Sequence, residues 1–307
     1  MPTYAPRPLP DLKPRAHLLL SAFWLGLLCG MAPLQAQFHF RDYGNTAQPK
    51  ITPPDQVKAR ATLLMDSDGE VLYARSPDER LLPASTTKLM TALIVYEKLG
   101  LRGSVTIAEE DRAEPSNIPL IPGETVSVDK LFHALLIESA NDAARALGRA
   151  VAGSNASFVE MMNQRALTLG CFNTHFANPN GLPAPAGTHY TSCHDLMIIF
   201  RAVIAYPDLR KMLSTKEYVI TTASGTHFLH NHNLLLGRYP GMGPAKTGWT
   251  EAARHTYAAA ASRTENGKTR ELLLIILDSP DKWTDAQILF NWGFAQTPPP
   301  IPVENAP

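Results

Sequence analysis

The chain has 307 residues, 45% hydrophobic and 18% charged, which excludes a disordered polymer and supplies apolar material for one sizeable globular domain or two small ones. Its 28 lysines and arginines equal its 28 aspartates and glutamates, so no overall field directs it to nucleic acid or to an anionic membrane surface. Residues 1–36 read as an export leader, because Arg7, Lys13 and Arg15 precede an apolar run from Leu18 to Met31 that is short for a membrane span. Ala36 offers a cleavage point before Gln37; Leu34 is larger than a processing site prefers, so an uncleaved membrane tether stays open. Cys29 follows Leu28 rather than a small residue, which argues against lipidation. The expected location is secreted or periplasmic.

Residues 37–56 contain Gly44, Pro49, Pro53 and Pro54 and read as an extended lead-in, so the folded domain is expected over 57–295. Ala61–Met65 and Glu70–Tyr73 are strand-like runs joined by Asp66-Ser67-Asp68-Gly69, where Asp-Gly supplies the positive φ of a hairpin turn. From Ser85 to Leu99, Leu89, Leu93, Val95 and Tyr96 recur at helical spacing up to Gly100. Further helices are predicted over Val128–Ile137, Asn141–Val151, Ser157–Leu169 and Cys193–Ile204. His255–Ser262 and Glu271–Leu277 are apolar β-type runs separated by Asn266-Gly267, and a helical pattern follows over Asp285–Phe294. Strands flanking a helical middle favour a mainly antiparallel sheet with helices packed on it over a parallel doubly wound sheet. Residues 296–307 form a proline-rich tail.

Three short motifs stand in order along this frame: Ser85-Thr86-Thr87-Lys88, Ser139-Ala140-Asn141 and Lys246-Thr247-Gly248. Singly they are a helix cap with a surface lysine, a second cap, and a turn. Together, the first opens a buried helix, the second joins two helices, and the third precedes an apolar strand. A serine and a lysine three apart at a helix start share one face, so the amine can reach the hydroxyl. The amine becomes a base only if its pKa falls, which burial and a second cation such as Lys246 would both cause.

These motifs, their order and their surroundings resemble those of the D-alanyl-D-alanine carboxypeptidase family of penicillin-binding serine peptidases. Similar to that family are Pro83-Ala84-Ser85-Thr86-Thr87-Lys88-Leu89-Met90-Thr91, Glu138-Ser139-Ala140-Asn141-Asp142-Ala143-Ala144, Phe176-Ala177-Asn178-Pro179-Asn180-Gly181-Leu182, Asn233-Leu234-Leu235 and Tyr239-Pro240-Gly241. The resemblance implies an α+β fold of the β-lactamase and transpeptidase type, with five mainly antiparallel strands, flanking helices and a helical subdomain. It also implies roles. Ser85 would be the acylated nucleophile, Lys88 its proton acceptor and Ser139 a proton relay. Asn141 would hold the substrate amide. Lys246, Thr247, Gly248 and Trp249 would bind the substrate, with the Ser85 and Trp249 N–H groups as an oxyanion hole. The implied partners are peptidoglycan stem peptides ending in D-Ala-D-Ala and β-lactams as covalent inhibitors, without a cofactor or metal.

Two departures accompany the likeness. Gly241-Met242-Gly243-Pro244-Ala245 lacks the acidic residue and glycine that relatives usually carry just ahead of the lysine. Arg254 stands where they usually have glycine; it is either a reader of a substrate carboxylate or a solvated turn arginine. Carboxypeptidase and cross-link endopeptidase both fit, and a non-catalytic sensor of wall peptides or β-lactams is a further reading that the complete set of side chains opposes. A β-lactamase would need a glutamate activating the deacylating water; the nearest, Glu160 in Glu160-Met161-Met162-Asn163, lacks the required spacing. A metallopeptidase on His227, His230 and His232 lacks an accompanying carboxylate and the helical His-Glu-x-x-His pattern. Cys171 and Cys193 could form one disulfide or remain two buried thiols.

Overall fold

The computed structural model of the protein describes residues 55–265 and 267–296. The leader over 1–36, nearly all of the lead-in and the tail beyond residue 296 lie outside them, as does Cys29. The strands are β1 (Ala61–Asp66), β2 (Val71–Arg75), β3 (Ser104–Thr106), β4 (Thr125–Ser127), β5 (Glu217–Thr222), β6 (Gly225–His230), β7 (Met242–Thr250), β8 (Arg254–Glu265) and β9 (Lys268–Ser279). The helices are α1 (Lys88–Leu99), α2 (Val128–His133), α3 (Asn141–Ala152), α4 (Asn155–Thr168), α5 (Cys193–Ile204), α6 (Pro207–Leu213) and α7 (Lys282–Ala295).

Five strands form one sheet in the order β2-β1-β9-β8-β7, and every adjacent pair is antiparallel. The period-two alternation of a strand divides this sheet into two cores. Leu273, Ile275 and Leu277 of β9 face a large cluster with α1, α2, α3 and α5, while Leu272, Leu274 and Ile276 face Leu289 and Phe290 of α7. Both faces are thus covered, which is why β1, β8 and β9 read as apolar runs. The turn between β8 and β9 follows from Gly267, at φ +76°, and brings Glu265 opposite Lys268. Asp66 Oδ1 accepts from the backbone N–H of Asp68 and Glu70, closing the β1–β2 turn with Gly69 at φ +95°.

The structure differs from the sequence reading at several places, among them strand β7, which was not expected as a strand. The helix expected from Ser85 begins at Lys88, preceded by a 3-10 turn over Ala84–Thr87. The helix expected over Val128–Ile137 divides into α2 and a π-helical turn, Ala134–Glu138, ending at Ser139 in the left-handed region at φ +65°. Helix α4 starts two residues earlier than expected because Ser154, not a later residue, caps it by accepting from Ser157 N. Helix α6, the β3–β4 ladder and the β5–β6 hairpin had no counterpart. The hairpin buries only Ile220 and Leu229, so it carries almost no alternation to read. Cys171 and Cys193 are both buried free thiols, and burial pushes both thiol pKa values up, away from reactivity.

Candidate active site

Ser85 sits half-buried in the turn that leads into α1, directly after Ala84 at φ +47°, a conformation costly for a residue with a Cβ. The surroundings enforce it. Pro83 O accepts from Thr86 Oγ1 at 2.6 Å and from Thr256 Oγ1 of β8 at 2.9 Å. Gly181, at φ +84°, lies so near that a Cβ there would be 1.9 Å from Ala84 O. On the other flank, a Cβ on Gly248 of β7 would meet Ser85 N at 2.8 Å and Thr256 Oγ1 at 2.3 Å. The peptide that carries Ser85 is therefore clamped between two glycine backbones, and only glycine allows so close an approach at either.

Lys88 lies in the first turn of α1, fully buried, with Nζ 3.0 Å from Ser85 Oγ. It also donates to Asn141 Oδ1 at 2.7 Å and to the backbone carbonyl of Asn180 at 2.7 Å. Asn141 Nδ2 donates to Pro115 O, which fixes the amide so that its oxygen faces the lysine. Burial first, and then the nearby Lys246, hold the Lys88 amine well below the usual ammonium range, against an opposing pull from Asp142. A neutral amine has two N–H bonds and one lone pair. Asn141 Oδ1 and Asn180 O can only accept, so they take both N–H bonds and leave the lone pair to the Ser85 hydroxyl proton.

A second network faces the first. Lys246 of β7, also buried, donates to Ser139 Oγ at 2.8 Å and to Thr247 O at 3.0 Å. The left-handed turn after Ala134–Glu138 aims the Ser139 side chain at it. Burial brings the Lys246 amine down to about 7, assisted by Lys282 and opposed by Glu138. Lys282 itself is lowered to about 8 by burial, and its Nζ lies 2.9 Å from His255 Nδ1. Glu138 is anchored to the β5–β6 hairpin and its sequel: it accepts from His230 N at 2.8 Å and lies 3.4 Å from His232 Nε2. Burial alone would raise its pKa, but these bonds overcome that and hold the carboxyl below its ordinary value. A carboxylate is thereby fixed beside Ser139.

Such a pairing, one hydroxyl on a buried amine of lowered pKa opposite a second hydroxyl on another buried lysine, suits acyl transfer. The model of the D-alanyl-D-alanine carboxypeptidase family matches residues 46–280. The chain belongs to that family. Its relatives include D-alanyl-D-alanine carboxypeptidase DacB2 of Mycobacterium tuberculosis, 35% identical over 78% of this chain and 84% of the relative. DacF of Bacillus subtilis is 33% identical over 78% of this chain, which spans 63% of that longer relative. Among solved structures, the D-alanyl-D-alanine carboxypeptidase of M. tuberculosis superimposes with a TM-score of 0.75 at 34% identity, covering 82% of this chain and 97% of the other. The Streptomyces K15 DD-transpeptidase gives 0.73 at 30% identity, covering 80% and 100%. This family of serine peptidases shares the five-stranded α+β architecture found here.

The structure brings the residues singled out in the sequence into these two linked groups. Ser85, Lys88 and Asn141 form one, and Ser139, Lys246 and Thr247 the other. Gly248 lies against Ser85 N, and Trp249, next along β7, leaves its ring exposed. Arg254 is on the β7–β8 hairpin at φ +51°, where its guanidinium is engaged by Asp278, so its charge is already matched. Glu160 is exposed on α4. The three histidines have separate partners: His227 contacts Thr222 and Ser224, whereas His230 N and His232 address Glu138. Sequence reasoning assigned no role to Asn180, Gly181 or Glu138, although all three lie in the segments that carry the resemblance. Lys282 left no trace there, since a lysine at a helix start ordinarily faces solvent.

Proposed function

We propose that the chain is an exported D-alanyl-D-alanine carboxypeptidase that trims peptidoglycan stem peptides through an acyl-enzyme at Ser85. The observation that carries this reading is the buried Lys88 amine, its pKa pulled down by burial, with Nζ 3.0 Å from Ser85 Oγ and its other two contacts made to pure acceptors. Ser85 Oγ attacks the carbonyl between the two D-alanines as its proton passes to Lys88 Nζ. The oxyanion that forms is met by the N–H groups of Ser85 and Trp249. The C–N bond then breaks, the departing amine takes a proton relayed through Ser139, and an ester remains on Ser85. Water hydrolyses the ester, returning the hydroxyl. Asn141 holds the substrate amide, and Lys246 with Thr247 binds the terminal carboxylate. Penicillin, a cyclic mimic of the dipeptide, acylates the same oxygen. Residues 1–36 direct export; a reporter secreted only with this segment attached tests that part.

Fluorescent penicillin is expected to label the wild-type protein and to leave Ser85→Ala unlabelled. Wild type is expected to release one D-alanine from each uncross-linked stem pentapeptide. Cleavage of cross-linked muropeptides without D-alanine release would replace this reading with an endopeptidase.

The amines also set a pH dependence. Lys246 attracts a carboxylate only while protonated, and in the free protein it loses that proton near about 7. The second-order rate constant of penicillin acylation is therefore expected to decline as pH rises through neutrality. Glu138→Gln removes the carboxylate that helps Lys246 keep its proton, so the decline should move to lower pH. A rate constant flat up to pH about 9 would contradict this assignment of Lys246.

A further inference from the structure

Beside the nucleophile the fold leaves a cavity of about 440 Å³ that none of the chemistry above uses. Leu82, three residues before Ser85, forms one wall, and Ala252 and Ala253, in the turn that follows β7, form another. His189 and Tyr190 close it from a third side, and His189 Nε2 bonds Thr87 Oγ1 at 2.8 Å, so the cavity shares its floor with the nucleophile's own turn.

Its charge is unbalanced. Arg60, Arg80 and Asp278 are the charged groups that line it. Asp278 is held between Arg254 and Arg60, the latter at 3.7 Å, and Arg60 is also paired with Glu79. Asp78, the other nearby acid, binds His194. Arg80 remains: its Nε donates to Asn173 Oδ1 at 3.1 Å, its Nη2 to Phe172 O at 3.5 Å, and its guanidinium lies 4.9 Å over the Tyr190 ring, but among the described residues it meets no carboxylate. The aromatic face orients the guanidinium, and with the Nε and Nη2 edge turned to Asn173 and Phe172, Nη1 remains for an anionic partner. Burial holds His189 at about 4, so this neighbour is neutral and does not compete for an anion.

The direction of the substrate assigns an occupant. Among the described residues β7 pairs only with β8 and is an edge of the sheet, so an extended peptide can add to its free side. With the terminal carboxylate at Lys246 and Thr247 and the scissile carbonyl at Gly248 and Trp249, the peptide's earlier residues run on toward Thr250 and the turn at Ala252. Three residues of strand span about 10 Å, within reach of a long side chain on the residue before the two D-alanines. We propose that this cavity is a subsite in which Arg80 binds a carboxylate carried by that side chain, making the protein selective for acidic stem peptides. The inference rests on the carboxypeptidase reading and names its substrate class.

The test compares two N-acetylated tripeptides, meso-diaminopimelyl-D-Ala-D-Ala with its distal carboxylate free and the same peptide with that group as carboxamide. Wild type is expected to favour the free acid by about fivefold in kcat/KM at low salt, a preference that shrinks as ionic strength rises. In Arg80→Gln the ratio should fall to about one, and Arg80→Lys should keep part of it, because a point charge persists without the oriented guanidinium. The ratio is internal to each protein, so partial unfolding of a variant leaves it unchanged. Equal use of the two peptides by a wild type that fluorescent penicillin labels would overturn this inference alone, as would a preference that survives in Arg80→Gln. A wild type that penicillin does not label would overturn the carboxypeptidase reading and this inference with it.

Discussion

Replacing Lys88 with methionine is expected to slow penicillin acylation of Ser85 by about 10³-fold, within the range that loss of a positioned general base produces. The side chain's volume is nearly kept, so packing in α1 is preserved. What disappears is the lone pair at Ser85 Oγ and the partner of two buried acceptors, Asn141 Oδ1 and Asn180 O. Orphaning those oxygens costs about 1–3 kcal/mol each, offset in part because an amine no longer has to be buried. The melting temperature should consequently drop by only some degrees while the rate collapses. Lys88→Arg should lose as much activity for a different reason: a guanidinium stays protonated at any working pH and cannot accept the serine's proton. Stopped-flow acylation beside a thermal melt separates rate from folding, and an arginine variant retaining even a tenth of the rate would contradict the role given to Lys88.

Gly181→Ala is expected to damage the turn that carries Ser85 severely. The residue adopts φ +84°, and its added Cβ would stand 1.9 Å from Ala84 O. The left-handed backbone costs a residue with a Cβ about 1–2 kcal/mol, and overpacking a tight site adds about 1–3 kcal/mol. The strain falls on the one peptide that presents the nucleophile. A displacement near 1 Å there should lower acylation by about 10²-fold beyond any loss from unfolding. Gly153→Ala is the matched control: it too has a positive φ, +80°, but nothing lies within 4 Å of its added Cβ. That variant should lose a comparable backbone increment of stability and acylate at the wild-type rate. Equal rates in the two alanine variants would show that the clamp on Ser85 is slack.

Much of the sheet, and the side chains that the structure gathers around Ser85, could be picked out directly in the chain. Strands β1, β8 and β9 are buried on both faces, so their apolar runs announce them, and the two Gly-containing turns mark where they reverse. Ser85, Lys88, Ser139, Asn141 and Lys246, whose side chains contact one another here, stood out in the sequence because their functional groups are side chains. Asn180 was not, since its contribution is a carbonyl that any residue possesses; only the close approach at Gly181 hints at it. The bend at Ser139 was equally hidden, because a π-helical turn ending in a left-handed serine lacks the glycine that usually betrays such a stop. Strand β7 was missed as a strand for a related reason. Its Met242-Gly243-Pro244-Ala245 opening carries turn residues, and its pairing depends on the small alanines of β8 opposite. Arg254 had suggested a substrate contact through its unusual position, whereas Asp278 absorbs its charge and Arg80, unremarked in the sequence, has no carboxylate partner among the described residues.

A sheet margin with unsatisfied N–H and C=O groups ordinarily invites a second protein molecule to stitch itself on, and β7 is such a margin. The irregular register between Met242 and Ala245, together with Pro244, which has no N–H to offer, shortens the usable stretch at one end. The hairpin turn after Thr250 ends it at the other. What is left is a template about five residues long. That is ample for a few residues of wall peptide and meagre for the long registers on which fibrils grow, so the feature that exposes the protein to its substrate also limits its self-association when it is concentrated.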